Sequence, residues 1–319
     1  MPTLPFALEH PALHFSAMLF LYWVFALALV APLALATLGL RFAGQKKKIF
    51  PHLLATQAAP PLLTGTWLAY AALVLFLFMG SQNTFQEITK SHLLLTLLGC
   101  SLLLLLGLTL GAIRWKTWRK QAALQALLLQ VVALVNLAIL PLFALGASLL
   151  HNPTPEVHGA FKDVPLETAQ AFFSTLFLPE FFPLNALVLL HLAGTGLALA
   201  ALLAGLRVAL RRNKDDFGRD YYAYATRTTA WWAAGAGVLF TVATAFAPQS
   251  LVFSDYFQEG LERTLYTAAA LGGMATLLWG VVGASSTPLR LKWLFFLAGI
   301  LFCAAFGVFY PILVPTSLV

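Results

Sequence analysis

Eight long stretches of apolar, uncharged residues constrain this chain more than any other feature of its sequence. Each is long enough to cross the ~30 Å hydrocarbon core of a bilayer as one helix, which takes about 20 residues. Because 60% of the 319 residues are hydrophobic and only 10% are charged, little remains outside these stretches. The sequence therefore predicts a single all-α integral membrane domain over residues 1–319, a bundle of about eight transmembrane helices, and excludes a large soluble catalytic domain. The stretches fall at about 15–40, 53–80, 92–113, 122–149, 183–206, 229–248, 264–283 and 293–314.

The connecting segments alternate in charge, and this alternation predicts how the helices are oriented. Sixteen of the nineteen basic residues fall in the odd-numbered connections, whereas Lys90, Lys162 and Arg263 fall on the opposite side. Because basic loops stay in the cytoplasm, the pattern places both termini in the periplasm of a bacterial inner membrane. The net charge of +7 is divided among short loops that orient the helices, so it does not indicate nucleic-acid binding.

Two of the predicted periplasmic connections are longer than simple turns. Residues 150–182 form an interfacial segment, in which 166–173 has the pattern of a short amphipathic helix lying along the membrane surface. Residues 249–263 are aromatic and acidic, and they contain Asp255, Glu259 and Glu262. The acidic outer surface suits a basic soluble partner, or it is ordinary solvated surface.

The predicted helices carry no acidic or basic side chain in their interiors. Ion pumps and many transporters need ionisable groups at the membrane midplane. Secondary transporters also commonly contain internal repeats, and this sequence has no evident repeat. Both observations disfavour a transporter.

His191 is the exception, because it lies inside the fifth apolar stretch. It follows Pro183 by eight residues, which places it about 12 Å from the outer end of a helix. An imidazole at this depth needs a partner, either a hydrogen bond to a neighbouring helix or the iron of a haem. Gly194 and Gly196 follow within a turn and a half, and small residues beside a ligand let a flat porphyrin approach the backbone. The chain has no CxxCH site, so any haem is held without covalent attachment.

Two further side chains are candidate iron ligands on the same side of the membrane. His14 lies one turn inside the first predicted helix, on the periplasmic half that also contains His191. Met274 lies about eleven residues into the seventh helix, so its depth matches that of His191 to about one turn. Methionine can complete a histidine-ligated haem. Plain core packing is the alternative role for Met274.

The residues around His191 resemble subunit I of the cytochrome bd quinol oxidases. In that family a proline stands eight residues before the histidine of the low-spin haem b and a glycine five residues after it, as Pro183 and Gly196 do here. The resemblance extends at low identity over most of the chain, through the short segments 12–15, 62–65, 134–137 and 151–153. It implies haem b ligation by His191 and His14, with quinol as the substrate.

Several motifs of that family are absent from this sequence. The Gly-Arg-Gln-Pro-Trp motif and the glutamate that binds a haem iron at the oxygen-reducing site are missing, and residues 92–113 lack the family's proton-delivering glutamates. The quinol-binding loop is shortened to about fifteen residues, and Met274 is about a turn too deep to match the family's methionine. Without proton-delivering carboxylates, oxygen reduction at this chain is not expected.

These features together predict a haem b-containing electron-transfer subunit of a larger respiratory complex. We expect it to exchange electrons between the quinone pool and a partner such as a periplasmic c-type cytochrome. Asp255, Glu259 and Glu262 are the candidates for taking a proton from quinol. The alternative is a haem-free anchor that binds quinone or docks partner subunits through packed helices.

Overall fold

The computed structural model describes residues 49–80, 92–113, 182–215, 217–247 and 261–309, with further helical positions between 124 and 139. Over these ranges the chain is helical and has no β-strand, so the all-α prediction is confirmed there. The predicted span 15–40 and almost all of segment 150–182 lie outside the described residues. The helices are α1 (Ile49–Gly80), α2 (His92–Ile113), α3 (Phe182–Arg211), α4 (Arg219–Phe246), α5 (Leu261–Ala284) and α6 (Lys292–Phe309), with a 3-10 helix (Pro288–Leu291) before α6.

Four of the described helical segments are long and apolar enough to cross a membrane, which supports the transmembrane prediction at that level. They correspond to the last four predicted spans, and a shorter apolar segment lies within α2, at Leu95–Gly111. The total of eight crossings and the location of the termini stay predictions. The four segments are Leu190–Arg211, Arg219–Phe246, Arg263–Ala284 and Pro288–Val308.

Helices α3 to α6 pack in the order of the chain, α3 on α4, α4 on α5 and α5 on α6. Alanines dominate their shared core, and five large rings fill the space between them: Phe240, Trp279, Phe295, Phe302 and Phe306. Small residues let helix backbones approach closely, which favours helix association in lipid. Gly237 of α4 shows this, because a Cβ at that position would collide with the Thr276 side chain of α5.

A tight connection joins α3 to α4. Gly218 precedes α4 with a φ of 80°, a conformation that glycine adopts without steric cost. The Tyr222 hydroxyl donates a hydrogen bond of 2.5 Å to the backbone oxygen of Asp215, and the Asp215 carboxylate lies 3.3 Å from Arg211. These contacts bring the end of α3 back to the start of α4, so the two helices run antiparallel.

Helix α1 packs against the α3–α4 end of the bundle. Its buried residues Leu54, Ala58 and Leu62 share a core with residues of α3 and α4. The Tyr221 hydroxyl of α4 donates a 2.9 Å hydrogen bond to the side-chain oxygen of Gln57. Because Gln57 is buried, this bond satisfies a polar group that would otherwise be costly inside the bundle.

Candidate functional site

His191 lies in the third turn of α3 with 4% of its surface exposed. The ring of Phe240, from α4, has its centroid 4.6 Å from the imidazole centroid at an interplanar angle of 39°. The ring of Phe306, from α6, lies 5.9 Å away at 36°. Three helices therefore form an enclosure around one imidazole, and we call His191, Phe240 and Phe306 the histidine enclosure.

The enclosure is held by a layer of further aromatic rings. Phe240 packs on Phe302 at 4.8 Å, and Phe302 packs on Trp279 of α5 at 5.5 Å. The indole Nε1 of Trp279 donates a 3.0 Å hydrogen bond to the backbone oxygen of Phe295. The imidazole is thus the first member of a series of ring contacts that reaches from α3 to α5.

The turn after His191 is built from small residues with distinct roles. The Thr195 hydroxyl donates a 2.9 Å hydrogen bond to the backbone oxygen of His191, so its proton is used within α3. At Gly194 an added Cβ would lie 2.6 Å from the backbone nitrogen of Phe240 and 2.9 Å from the backbone oxygen of Ala236. Gly194 therefore allows close contact of α3 with α4, and the space beside it holds helix backbone rather than room for a planar group. Gly196 is buried as well.

The other candidate residues are placed differently. Met274 is 48% exposed on α5, so it does not share the buried surroundings of His191. Glu262 falls in the first turn of α5, where its side chain is not described. His14, Asp255 and Glu259 lie outside the described residues.

None of the residues that are buried in the described part of the bundle is an aspartate, glutamate, lysine or arginine. Apart from His191, its buried polar residues are glutamine, asparagine, serine and threonines. The described residues also hold no group of three or more His, Cys, Asp or Glu that could bind a metal ion by themselves. A single buried imidazole can serve as a haem ligand, because the porphyrin supplies other ligands of the iron. The chemistry of His191 thus fits a haem ligand. The backbone of α4 lies beside Gly194 and Met274 is half-exposed, and the roles of both toward a haem stay predictions.

A second buried polar cluster joins three helical segments, and sequence reasoning missed it. The Tyr70 hydroxyl lies 2.5 Å from the Ser101 hydroxyl and donates a 2.8 Å hydrogen bond to Oδ1 of Asn136. The Ser101 hydroxyl also donates to that oxygen, at 2.6 Å. All three side chains are at most 1% exposed, and we call them the polar triad. The only sign of this cluster in the sequence is that each of its residues is a polar side chain within an apolar stretch. Whether such side chains contact one another depends on which helices are neighbours.

Comparisons with protein-family models, with characterised proteins and with solved structures find no match to this chain.

Proposed function

We propose that this chain is a multi-pass subunit of about eight transmembrane helices in a bacterial inner membrane, with both termini in the periplasm. Four described helical segments of sufficient length and apolar character support the membrane assignment. The charge alternation of the connections supports the orientation. The absence of charged residues from the described core favours a role other than moving ions or protons across the membrane.

Within that scaffold we propose a haem b-containing electron-transfer subunit of a larger respiratory complex. The observation that carries this proposal is the buried imidazole of His191, which lies among aromatic rings from two other helices in a core without charged residues. An imidazole nitrogen is a common protein ligand of haem iron. When bound, haem b supplies one-electron redox chemistry.

The chain's own residues have defined tasks in this proposal. His191 would hold the haem iron through an imidazole nitrogen, and Phe240 and Phe306 would limit rotation of the imidazole through their ring contacts. The surrounding apolar side chains exclude water, which helps to set a redox potential. His14 is the proposed second histidine, and a ligand from a neighbouring subunit is the alternative. Electrons pass between the quinone pool and a partner such as a periplasmic c-type cytochrome, and oxygen is not reduced at this chain.

Asp255, Glu259 and Glu262 are the proposed acceptors of a quinol proton. Their support is their position in the sequence, in the acidic connection before α5. A carboxylate can accept this proton only where it lies within hydrogen-bond distance of the quinol hydroxyl. Replacing all three by alanine should lower quinol turnover, and unchanged turnover would remove them from the proposal.

A haem-free membrane anchor is the second candidate, and Gly194 is the observation that favours it. The backbone of α4 occupies the space beside Gly194, as expected for a helix contact whose purpose is tight packing. In that case His191 is a structural core residue, and the chain docks partner subunits or binds quinone without any haem.

A spectrum of the purified chain distinguishes the two candidates. The haem proposal expects a b-type reduced-minus-oxidised spectrum and a pyridine haemochrome signal that disappears in His191→Ala. Thr195→Ala is the matched control, because it changes a buried residue one turn away whose hydroxyl bonds only within α3. A signal lost in both variants reports general disruption of α3, whereas a wild-type chain without any b-type signal supports the anchor. His14→Ala tests the second ligand in the same way.

A further inference from the structure

A groove of about 760 Å³ runs between α1 and α2, away from the histidine enclosure. On α1 its lining extends from Ala55 to Ala71, and on α2 it includes Thr109 and Ile113. Sixteen residues of helix correspond to about 24 Å, so the groove is long and follows the helix axis. Small side chains such as Ala55 and Ala59 form part of the lining and give it depth.

The polar atoms of the lining are mostly used within the protein. The indole Nε1 of Trp67 donates a 3.0 Å hydrogen bond to the Thr109 hydroxyl, which donates in turn to the backbone oxygen of Leu105 at 2.8 Å. The Thr56 hydroxyl donates to the backbone oxygen of Leu53 at 2.9 Å. The surface offered to a ligand therefore consists mainly of methyl groups, methylenes and ring faces, which suits an aliphatic chain better than a ring that needs hydrogen bonds.

The groove opens on the outside of the helix pair. Leu68 and Ile113, both in its lining, are 65% and 69% exposed. In a chain that spans a bilayer, apolar side chains exposed to this degree face lipid. A ligand can therefore enter from the membrane without passing through the helix bundle.

One end of the groove lies at the basic end of the bundle. Gln57 neighbours the lining residues Ala55 and Thr56 in sequence, and its side-chain nitrogen lies 3.4 Å from the Asp215 carboxylate in the connection between α3 and α4. Residues 211–220, which include that connection, carry four basic and three acidic residues, and the basic residues Arg212, Lys214 and Arg219 are exposed. Basic groups at the membrane surface attract anionic lipid headgroups.

From these observations we infer that the groove binds an acyl chain of an anionic phospholipid, with its headgroup toward Arg212 and Lys214. The length, the apolar lining and the lateral opening match an acyl chain, and the basic end matches an anionic headgroup. The bound lipid joins the outer surfaces of α1 and α2, and this inference is independent of any haem at His191.

Native mass spectrometry of the full chain tests the acyl-chain part of the inference. The detergent-solubilised protein is mixed with equal amounts of phosphatidylglycerol and phosphatidylcholine that carry identical acyl chains. Ala71→Phe and Thr64→Phe each place a ring in the groove from an exposed position, and both should lower lipid adducts about tenfold. Ala304→Phe places the same ring at an exposed position on α6 and should leave adducts unchanged. Equal amounts of lipid adduct in wild type and in both groove variants overturn the inference. So does a spectrum in which the groove variants lose an adduct of co-purified quinone while their phospholipid adducts stay unchanged.

The headgroup part of the inference is tested by the ratio of phosphatidylglycerol adducts to phosphatidylcholine adducts in the same spectra. Wild type should prefer phosphatidylglycerol, and Arg212→Gln with Lys214→Gln should reduce this preference about fivefold for each charge removed. Arg290→Gln with Lys292→Gln is the matched control, because it removes two exposed charges from the 3-10 helix and from the first residue of α6. A wild-type ratio near one, or equal losses in the test and control pairs, overturns the anionic assignment.

Discussion

The bundle α3–α6 and the pair α1–α2 are held together by different kinds of contact. In the bundle, glycines and alanines bring helix backbones together, and the aromatic layer fills the remaining space. The pair is joined by polar side chains: Trp67 donates a hydrogen bond to Thr109, and the Tyr70 and Ser101 hydroxyls lie 2.5 Å apart and both donate to Asn136. Glycines of α2 at positions 99 and 107 have open space where a Cβ would be placed, unlike Gly194 and Gly237.

The difference follows from the physics of helix association in lipid. Burial of apolar surface gives little driving force there, because lipid tails are as apolar as leucine side chains. Close packing and interhelical hydrogen bonds must then provide the attraction between helices. Close packing is the main contact within α3–α6, and hydrogen bonds are the main contact between α1 and α2. The close-packed region contains the histidine enclosure, whereas the hydrogen-bonded region leaves a groove between its helices.

The largest expected effect comes from breaking the close packing. Gly194→Ala should lower the free energy of unfolding by about 1–3 kcal/mol, because its Cβ would meet the backbone of α4, which cannot rotate aside as a side chain can. Gly235→Ala is the matched control, since it has open space around it and should be neutral or stabilising by up to about 1 kcal/mol. Thermal unfolding in one detergent measures both. Equal changes would contradict the role of close packing at Gly194.

The next effect concerns the polar triad. Asn136→Leu removes two hydrogen bonds and should cost about 1–2 kcal/mol, given roughly 0.6 kcal/mol for an average interhelical hydrogen bond in a membrane and up to about 1.7 for the strongest. In the variant, one of the released hydroxyl protons of Tyr70 and Ser101 can form a hydrogen bond between these two residues, which limits the loss. The free-energy change caused by Tyr70→Phe, measured in the wild type and in Asn136→Leu, gives the coupling energy between Tyr70 and Asn136. Fully additive losses would show that the triad does not act as a unit.

The smallest effect concerns the single bond from Trp67 to Thr109. Trp67→Phe keeps an aromatic ring but removes the donor, and it should cost about 0.6 kcal/mol. Trp293→Phe is the control, because Trp293 is 60% exposed on α6 and its change should be close to zero. A larger loss for Trp293 would contradict the view that hydrogen bonds join α1 to α2.

Hydropathy was sufficient to predict where the helices of the bundle lie. The predicted spans 264–283 and 183–206 fall within α5 and α3 with errors of at most five residues at each end. The start of α4 was predicted ten residues too late, at 229 rather than 219. The reason is that its first turns carry charges and tyrosines, and Tyr221 and Tyr222 gain their burial from the core shared with α1.

The neighbours of a side chain could not be predicted in the same way. Depth in an apolar stretch indicates that His191 is inside the membrane, but it does not indicate that Phe240 and Phe306 flank the ring. A glycine three residues later is compatible with a porphyrin or with a helix, and the structure places a helix there. Which faces meet depends on pairings between residues far apart in the chain, such as Tyr70 with Asn136.

The central claim is that His191 binds a haem iron, and a cryo-EM map of the purified wild-type chain in lipid nanodiscs tests it most directly. The account predicts flat density of a macrocycle whose iron is bonded to an imidazole nitrogen of His191. A map in which side chains of the neighbouring helices fill all the space around His191, with no macrocycle anywhere in the chain, would contradict it.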